Sequence, residues 1–457
     1  MSRALSPDRS VRRPERDAAP TASDTSTSKE SEVGDGGAIT VETSAAYPVG
    51  AGKVSRLDRW LVRRLLEGLT GPAVSVVLWN GEEIAASAAP PVAKLWVRDR
   101  GTLVKLMIRP CFEFGEAYGS RRVEVEGDLL ELLMTVYRSM DRGRGPTGLT
   151  RRAIWKLDAW LQANTQAGSK RNIHHHYDIG NDFYKLWLDE QLLYTCAYFP
   201  APTASLEEAQ RAKMDRVARK VWLKPGEKVA EAGCGWGSLA LHMARHFGVS
   251  VRAFNISHEQ IVYARARAKA EGLDGRVEFV EDDYRNISGQ YDAFVSVGML
   301  EHVGQDHYQD LVRTIDGVLG PAGRGLIHSI GQNVAGWPLN PWIRRRIFPG
   351  AYPPGLREMV AMFEPWSLAV LDVENLRLHY AQTLRHWLAR FNAAEDRVVR
   401  MFDPLFLRTW RLYLAGSQAA FLSGSLQLFQ LVFARRQSNA IPWTRACLEE
   451  ALATAAG

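Results

Sequence analysis

The chain has 457 residues, 46% hydrophobic and 24% charged, so two or three folded domains with a sizeable core are expected. No stretch approaches the ~18 consecutive apolar residues a membrane-crossing helix needs, and a net charge of +6 suits a polyanion without choosing between nucleic acid and anionic lipid. Cys111, Cys196, Cys234 and Cys447 are too scattered for a C-x-x-C motif or a disulfide framework, which points to a reducing, cytoplasmic setting.

Residues 1–50 mix Ser, Thr, Pro, Gly and charges and are expected to form a disordered tail. Arg12-Arg13 lacks the apolar stretch of an export signal. Leu57, Leu61, Leu65 and Leu69 then recur at helical spacing, predicting an amphipathic helix from Arg56 to Leu69. Val74–Leu78 before Asn80-Gly81, Leu95–Val97, Leu103–Met107 and Val123–Val125 read as strands. Asp128 is a plausible cap for a helix over Leu129–Tyr137. Residues 51–140 are therefore expected to be a small α+β accessory domain, followed by a linker over 141–171. From residue 172 to 445 the texture changes. Lys228–Ala232, Val249–Ile256, Val277–Val280, Tyr291–Val297 and Gly325–Ile330 alternate with helical stretches, which argues an α/β domain with a parallel, doubly wound sheet.

Gly233, Gly235 and Gly237 sit where the first of these strands meets its helix, a place where a ligand can approach the backbone. G-x-G alone is a weak signal, and the spacing lacks the G-x-G-x-x-G step of a nicotinamide site. The longer run Glu231-Ala232-Gly233-Cys234-Gly235-Trp236-Gly237 resembles the first motif of class I S-adenosylmethionine methyltransferases, a Rossmann-like fold. That resemblance implies S-adenosyl-L-methionine as methyl donor. Gly233, Cys234 and Gly235 would hold its amino-acid part, with Tyr194 and Thr195 alongside, and Tyr284 and Arg285 would lie near adenine. The second strand ends in Asn255, where many such enzymes have an acid. Its amide can still bond a diol, and Gln260 is nearby.

A set of motifs in order resembles the cyclopropane-fatty-acid and mycolic-acid cyclopropane synthases. It includes His176-Tyr177-Asp178, Tyr194-Thr195-Cys196-Ala197-Tyr198-Phe199, Gly298-Met299-Leu300-Glu301-His302-Val303-Gly304, His328-Ser329-Ile330, Ile347-Phe348-Pro349-Gly350 and His379-Tyr380-Ala381. Phe114-Gly115-Glu116-Ala117-Tyr118 is similar to the amino-terminal domain of the longer members. The resemblance implies transfer of a methylene group to the cis double bond of unsaturated phospholipid acyl chains. It also implies a bicarbonate ion held as base by Cys196, Glu301, His328, Tyr380 and the backbone N–H of Ile330. Taken singly, Cys196, His328 and Tyr380 read as ordinary core residues, and Glu301 as a rim carboxylate.

Ser417 stands where relatives often carry cysteine, which argues against an obligatory thiol nucleophile. His174-His175-His176 cannot comfortably converge on one ion, so no metal is expected. Trp337, Trp342 and Phe348 around Arg344-Arg345-Arg346 read equally well as an anionic membrane interface or as a solvated charge run. Phe421–Phe433 is apolar at helical spacing and reads as core before acyl tunnel. The expected setting is peripheral, at the inner membrane surface, with membrane phospholipids and not nucleic acid as partners and with room for a homodimer. The rivals are acyl-chain methylation without ring closure, a small-molecule N-methyltransferase and a non-catalytic lipid-binding protein.

Overall fold

The computed structural model describes residues 40–41, 52–69, 73–85, 87–142, 179–333 and 339–445. The three consecutive histidines, Tyr177-Asp178, Trp337, most of the expected tail and the expected linker beyond Arg142 lie outside them. The accessory region comprises β1 (Thr40–Val41), α1 (Arg56–Glu67), β2 (Val74–Val77), β3 (Glu83–Ala85), β4 (Ala93–Val97), α2 (Arg100–Ile108), α3 (Pro110–Gly119), β5 (Val123–Asp128) and α4 (Leu129–Arg142). Its sheet has the order β1-β5-β4-β2-β3, with β2 and β4 parallel and the other pairs antiparallel.

Two expectations change here. Thr40–Val41, inside the expected tail, pairs with Asp128 and Gly127. Leu103–Met107 is helix, not strand. Asp99 caps α2 by accepting the Thr102 amide and hydroxyl, both at 2.8 Å. Leu103 and Leu106 are then buried while Val104 and Ile108 face solvent, a helical period that five residues alone could not declare.

The second region contains α5 (Asn181–Tyr184), α6 (Leu206–Lys220), β6 (Lys228–Ala232), α7 (Ser238–Phe247), β7 (Ser250–Asn255), α8 (His258–Ala270), β8 (Val277–Glu281) and β9 (Tyr291–Val297). It continues with α9 (Leu300–Val303), α10 (Tyr308–Val318), β10 (Leu319–Gly331), α11 (Pro341–Arg346), α12 (Leu356–Ala361), β11 (Leu368–Asn375), α13 (Arg377–Ala393), α14 (Glu395–Met401), α15 (Pro404–Ser423) and β12 (Gln427–Arg435). The seven-stranded sheet has the order β11-β12-β10-β9-β6-β7-β8. From β10 to β8 all neighbours are parallel, as expected of the Rossmann-like fold; β12 and β11 are added antiparallel.

The helical reading of Phe421–Phe433 fails at Gly424. That residue closes α15 in the left-handed region (φ 88°), and the chain returns as β12. A strand covered on both faces shows an unbroken apolar run, which a helix pattern can mimic.

The two regions pack tightly against each other. The buried Arg408 of α15 donates to the Tyr118 carbonyl and to Glu124, both at 2.8 Å. Trp342 of α11 lies 4% exposed over Gly115 and donates from Nε1 to Glu116 at 3.1 Å, and Arg346 donates from Nε to the same carboxylate at 2.7 Å. Trp342 is therefore a wall between the regions and not a lipid-facing aromatic, which removes this one residue from the interfacial reading of the segment.

Candidate active site

β6 ends at Ala232 and turns through the three glycines into α7. A Cβ on Gly237 would lie 2.4 Å from the Phe279 ring, so that glycine serves close packing. Gly235 has φ 53°, and a Cβ there would meet no protein atom within 4 Å. It lines a groove with Tyr194, Thr195, Gly233, Cys234, Asn255 and Gln260. Asn255 Nδ2 donates to the Gly235 carbonyl at 3.3 Å and to Gln260 Oε1 at 2.7 Å, so the amide braces the loop it faces. The groove continues past Gly233 and Asn255 to Asp283, Tyr284 and Arg285. Arg285 Nε donates to Tyr284 Oη at 3.2 Å. All nine residues expected at the cofactor thus line two adjoining depressions at the carboxyl ends of the parallel strands, where ligands bind in such sheets.

A second cavity shares Tyr194, Thr195, Gly298 and His302 with that groove. Cys196, Glu301, His328, Ile330 and Tyr380 all line it, so the structure brings the expected catalytic set together. Its apolar wall includes Ile343, Phe348, Leu384, Phe421, Leu426 and Leu428, with Ser417 among the lining residues. Phe421, Leu426 and Leu428 belong to the segment read from sequence as core.

Glu301 Oε1 accepts the Ile330 amide at 2.6 Å, whereas Oε2 is buried without a hydrogen bond. Burial pushes this carboxyl up to about 7, against the opposing effects of its own backbone amide, the Ile330 amide and the nearby Ser329 hydroxyl, which in the geometry donates instead to the Ile330 carbonyl at 2.9 Å. The Ile330 N–H, expected to face an anion, is therefore engaged in orienting Glu301. Gln430 Nε2 lies 3.0 Å from His328 Nδ1. With the amide donating, Nδ1 accepts and the hydrogen sits on Nε2, which is buried without a partner. Burial, reinforced by Lys213 and Lys220, pulls His328 well below its ordinary value and keeps it neutral. Cys196 Sγ donates to the Ala197 carbonyl at 3.1 Å, and burial pushes its thiol up, which disfavours a thiolate nucleophile. Tyr194 and Tyr413 share a hydroxyl contact of 2.6 Å beside the cavity. An unpartnered acceptor on Glu301 and an unpartnered donor on His328 in one apolar cavity suit a small oxyanion that carries a hydrogen.

The sequence model described as mycolic acid cyclopropane synthetase matches residues 164–431. The chain belongs to this family. A second model, described as a domain of unknown function, matches residues 61–143. A probable fatty acid methyltransferase of Pseudomonas putida is 34% identical over 382 residues, covering 80% of this chain and 94% of that protein. The cyclopropane-fatty-acyl-phospholipid synthase of Escherichia coli K12 is 39% identical over 266 residues, covering 58% of this chain and 68% of that protein. The crystal structure of mycolic acid cyclopropane synthase CmaA1 complexed with SAH and CTAB aligns with TM-score 0.56 and 26% identity, covering 58% of this chain and 98% of that one. The chain is thus an S-adenosylmethionine-dependent methyltransferase of a lipid-modifying family.

Within this family site, the residue-by-residue reading passed over Lys213 and Glu231. Both are almost fully buried and both line the groove beside Gly235. Lys213 Nζ donates to Thr195 Oγ1 at 2.8 Å, and burial pulls it down to about 8. Glu231 Oε2 has no partner, and burial pushes this carboxyl up to about 8. A buried amine and a buried carboxyl lining one groove supply a donor and an acceptor suited to a free amino acid end. The signal for Glu231 was available, since it opens the glycine motif; Lys213 sits on α6 with nothing local to mark it. His302 lines both depressions and the second cavity, and burial pulls its imidazole down to about 4.

Proposed function

We propose that the protein transfers a methylene group from S-adenosyl-L-methionine to the cis double bond of phospholipid acyl chains, forming a cyclopropane ring. The observation that carries this reading is the pair of unpartnered buried atoms, Glu301 Oε2 and His328 Nε2, in an apolar cavity that adjoins the cofactor groove. Lys213 and Glu231 hold the carboxylate and ammonium of the methionine part, Gly235 admits its chain, and Tyr284 and Arg285 border the adenine. Thr195 and His302, common to both spaces, lie at the passage through which the sulfonium methyl faces the alkene.

The alkene π pair bonds to that methyl carbon while the C–S pair stays on sulfur, leaving S-adenosylhomocysteine and a carbocation on the acyl chain. Loss of one proton from the new methyl lets the released C–H pair close the ring. Glu301 and His328 would hold a bicarbonate ion, which when bound would supply the base for that proton; Glu301 would accept its hydrogen and His328 would donate to it, and the dry walls would make both contacts strong. The neutral thiol of Cys196 and the hydroxyl of Tyr380 complete the polar lining.

Methylation without ring closure is the second reading, favoured by the likeness to a probable fatty acid methyltransferase over 94% of its length. Mass spectrometry of lipids from cells expressing this chain decides between them. A gain of CH2 with loss of the double bond supports cyclopropanation. A gain of CH4, or an added CH2 that leaves a double bond in place, overturns it.

A further inference from the structure

We infer that the accessory region is the membrane-docking part of the enzyme, and that the solvent face of α1 and α2 seats on an anionic phospholipid bilayer. This rests on the reading that the substrate is a phospholipid acyl chain. On α1, Leu57 and Trp60 are 53% and 58% exposed, one turn apart. On the adjoining α2, Val104 and Ile108 are 40% and 66% exposed at i, i+4 spacing. The buried faces of the same helices carry Val62 and Leu66, and Leu103 and Leu106, so the exposed apolar residues are in excess of what the core uses. The two helices are tied by Arg100 of α2, whose Nε lies 2.8 Å from Asp58 of α1.

Cations surround these side chains. Arg56 and Arg63 on α1 and Lys105 on α2 are exposed; Arg63 lies within the field of Glu82, which Arg59 holds directly. The stretch from Arg100 to Arg109 contains no acid at all. Lys105 also lines a groove with Leu405, where Arg122 and Arg346 are balanced by Glu113, Glu116 and Asp403. The end of α14 adds Met401 and the next residue Phe402, both exposed. An aromatic and aliphatic rim within a cationic field matches the headgroup layer, where Trp is favoured and each cation gains from anionic lipid. The other side of the groove is Trp342 of α11, and its neighbour Ile343 lines the acyl cavity. The inferred surface therefore borders the helix that walls the substrate space.

The test uses the full-length chain and vesicles of phosphatidylglycerol and phosphatidylethanolamine, with phosphatidylcholine vesicles for comparison. The wild type should sediment with the anionic vesicles, weakly with phosphatidylcholine, and less in high salt. Trp60→Ser with Ile108→Ser should lower vesicle affinity by roughly tenfold or more, since a few exposed apolar anchors dominate interfacial binding. Arg63→Glu with Lys105→Glu should abolish the preference for anionic lipid. Both pairs should turn over detergent-dispersed phospholipid as the wild type does. Unchanged vesicle binding by both pairs, or a wild type that ignores anionic vesicles, overturns the inference. A wild type that binds vesicles but modifies no phospholipid, dispersed or not, instead overturns the proposed substrate.

Discussion

The Ile330 amide donates to Glu301 Oε1 at 2.6 Å, and this one bond fixes the carboxylate so that Oε2 is the atom left without a partner in the cavity. Glu301→Gln keeps the shape and one oxygen acceptor but loses the charge. Turnover should fall on the order of 10² to 10³, the usual cost of removing a preorganised electrostatic contact. Cofactor affinity measured by calorimetry should stay near wild type. Added bicarbonate should raise the rate of depleted wild type and leave the variant nearly unaffected. Full activity in Glu301→Gln, with wild-type turnover indifferent to bicarbonate, would remove Glu301 from the chemistry.

The same carboxyl sets a pH dependence. Burial raises it from 4.5 to about 7, so the folded protein holds a proton there that the unfolded chain has released. Its contribution to stability is complete below 4.5 and is lost as pH rises through about 7. Activity runs the opposite way, because only the carboxylate accepts a hydrogen. Turnover should climb through about pH 7, while the protonated acid favours the fold below it. In Glu301→Gln both slopes should disappear from the rate profile and from melting temperatures taken across the same range.

Lys213→Met and Glu231→Gln should each weaken S-adenosylmethionine binding by roughly ten- to a hundredfold, the range expected for a charge-assisted hydrogen bond in a buried site. S-adenosylhomocysteine should lose affinity in step, since it carries the same amino acid end. Adenosine has none, and its affinity should not change. Equal losses for adenosine would mean that the substitutions disturb the groove as a whole.

Gly235→Val places a branched side chain where a Cβ meets no protein atom. Valine at φ 53° is strained, so the melting temperature should fall, but circular dichroism should still show the folded state while S-adenosylmethionine binding disappears from calorimetry. Gly115→Ala acts through packing instead. Its Cβ would fall 2.4 Å from the Trp342 ring, an overlap expected to cost about 1–3 kcal/mol of stability by chemical denaturation.

The parallel half of the catalytic sheet was legible because each strand is a short apolar run bounded by turns. Lys228–Ala232 and Tyr291–Val297 match their expected limits. Legibility failed where one pattern serves two structures. The run after Phe421 serves first a helix and then a strand, and only the left-handed Gly424 divides them. The members of the two cavities were legible as a set only through family resemblance, since Cys196, His328 and Tyr380 come from separate elements and look like core singly. The diversion of the Ile330 amide to Glu301, and the shared groove of Lys213 and Glu231, are relations across the fold that no local spacing encodes.

Helix α11 has a side chain on each of two fronts, Ile343 in the wall of the cavity that holds Glu301 and His328, and Trp342 wedged over Gly115. A rigid helix of six residues cannot shift at one front and stay still at the other. If the proposed acyl chain displaced Ile343, it would therefore also press on the contact where Trp342 and Arg346 meet Glu116, so cavity and seam would be strained together.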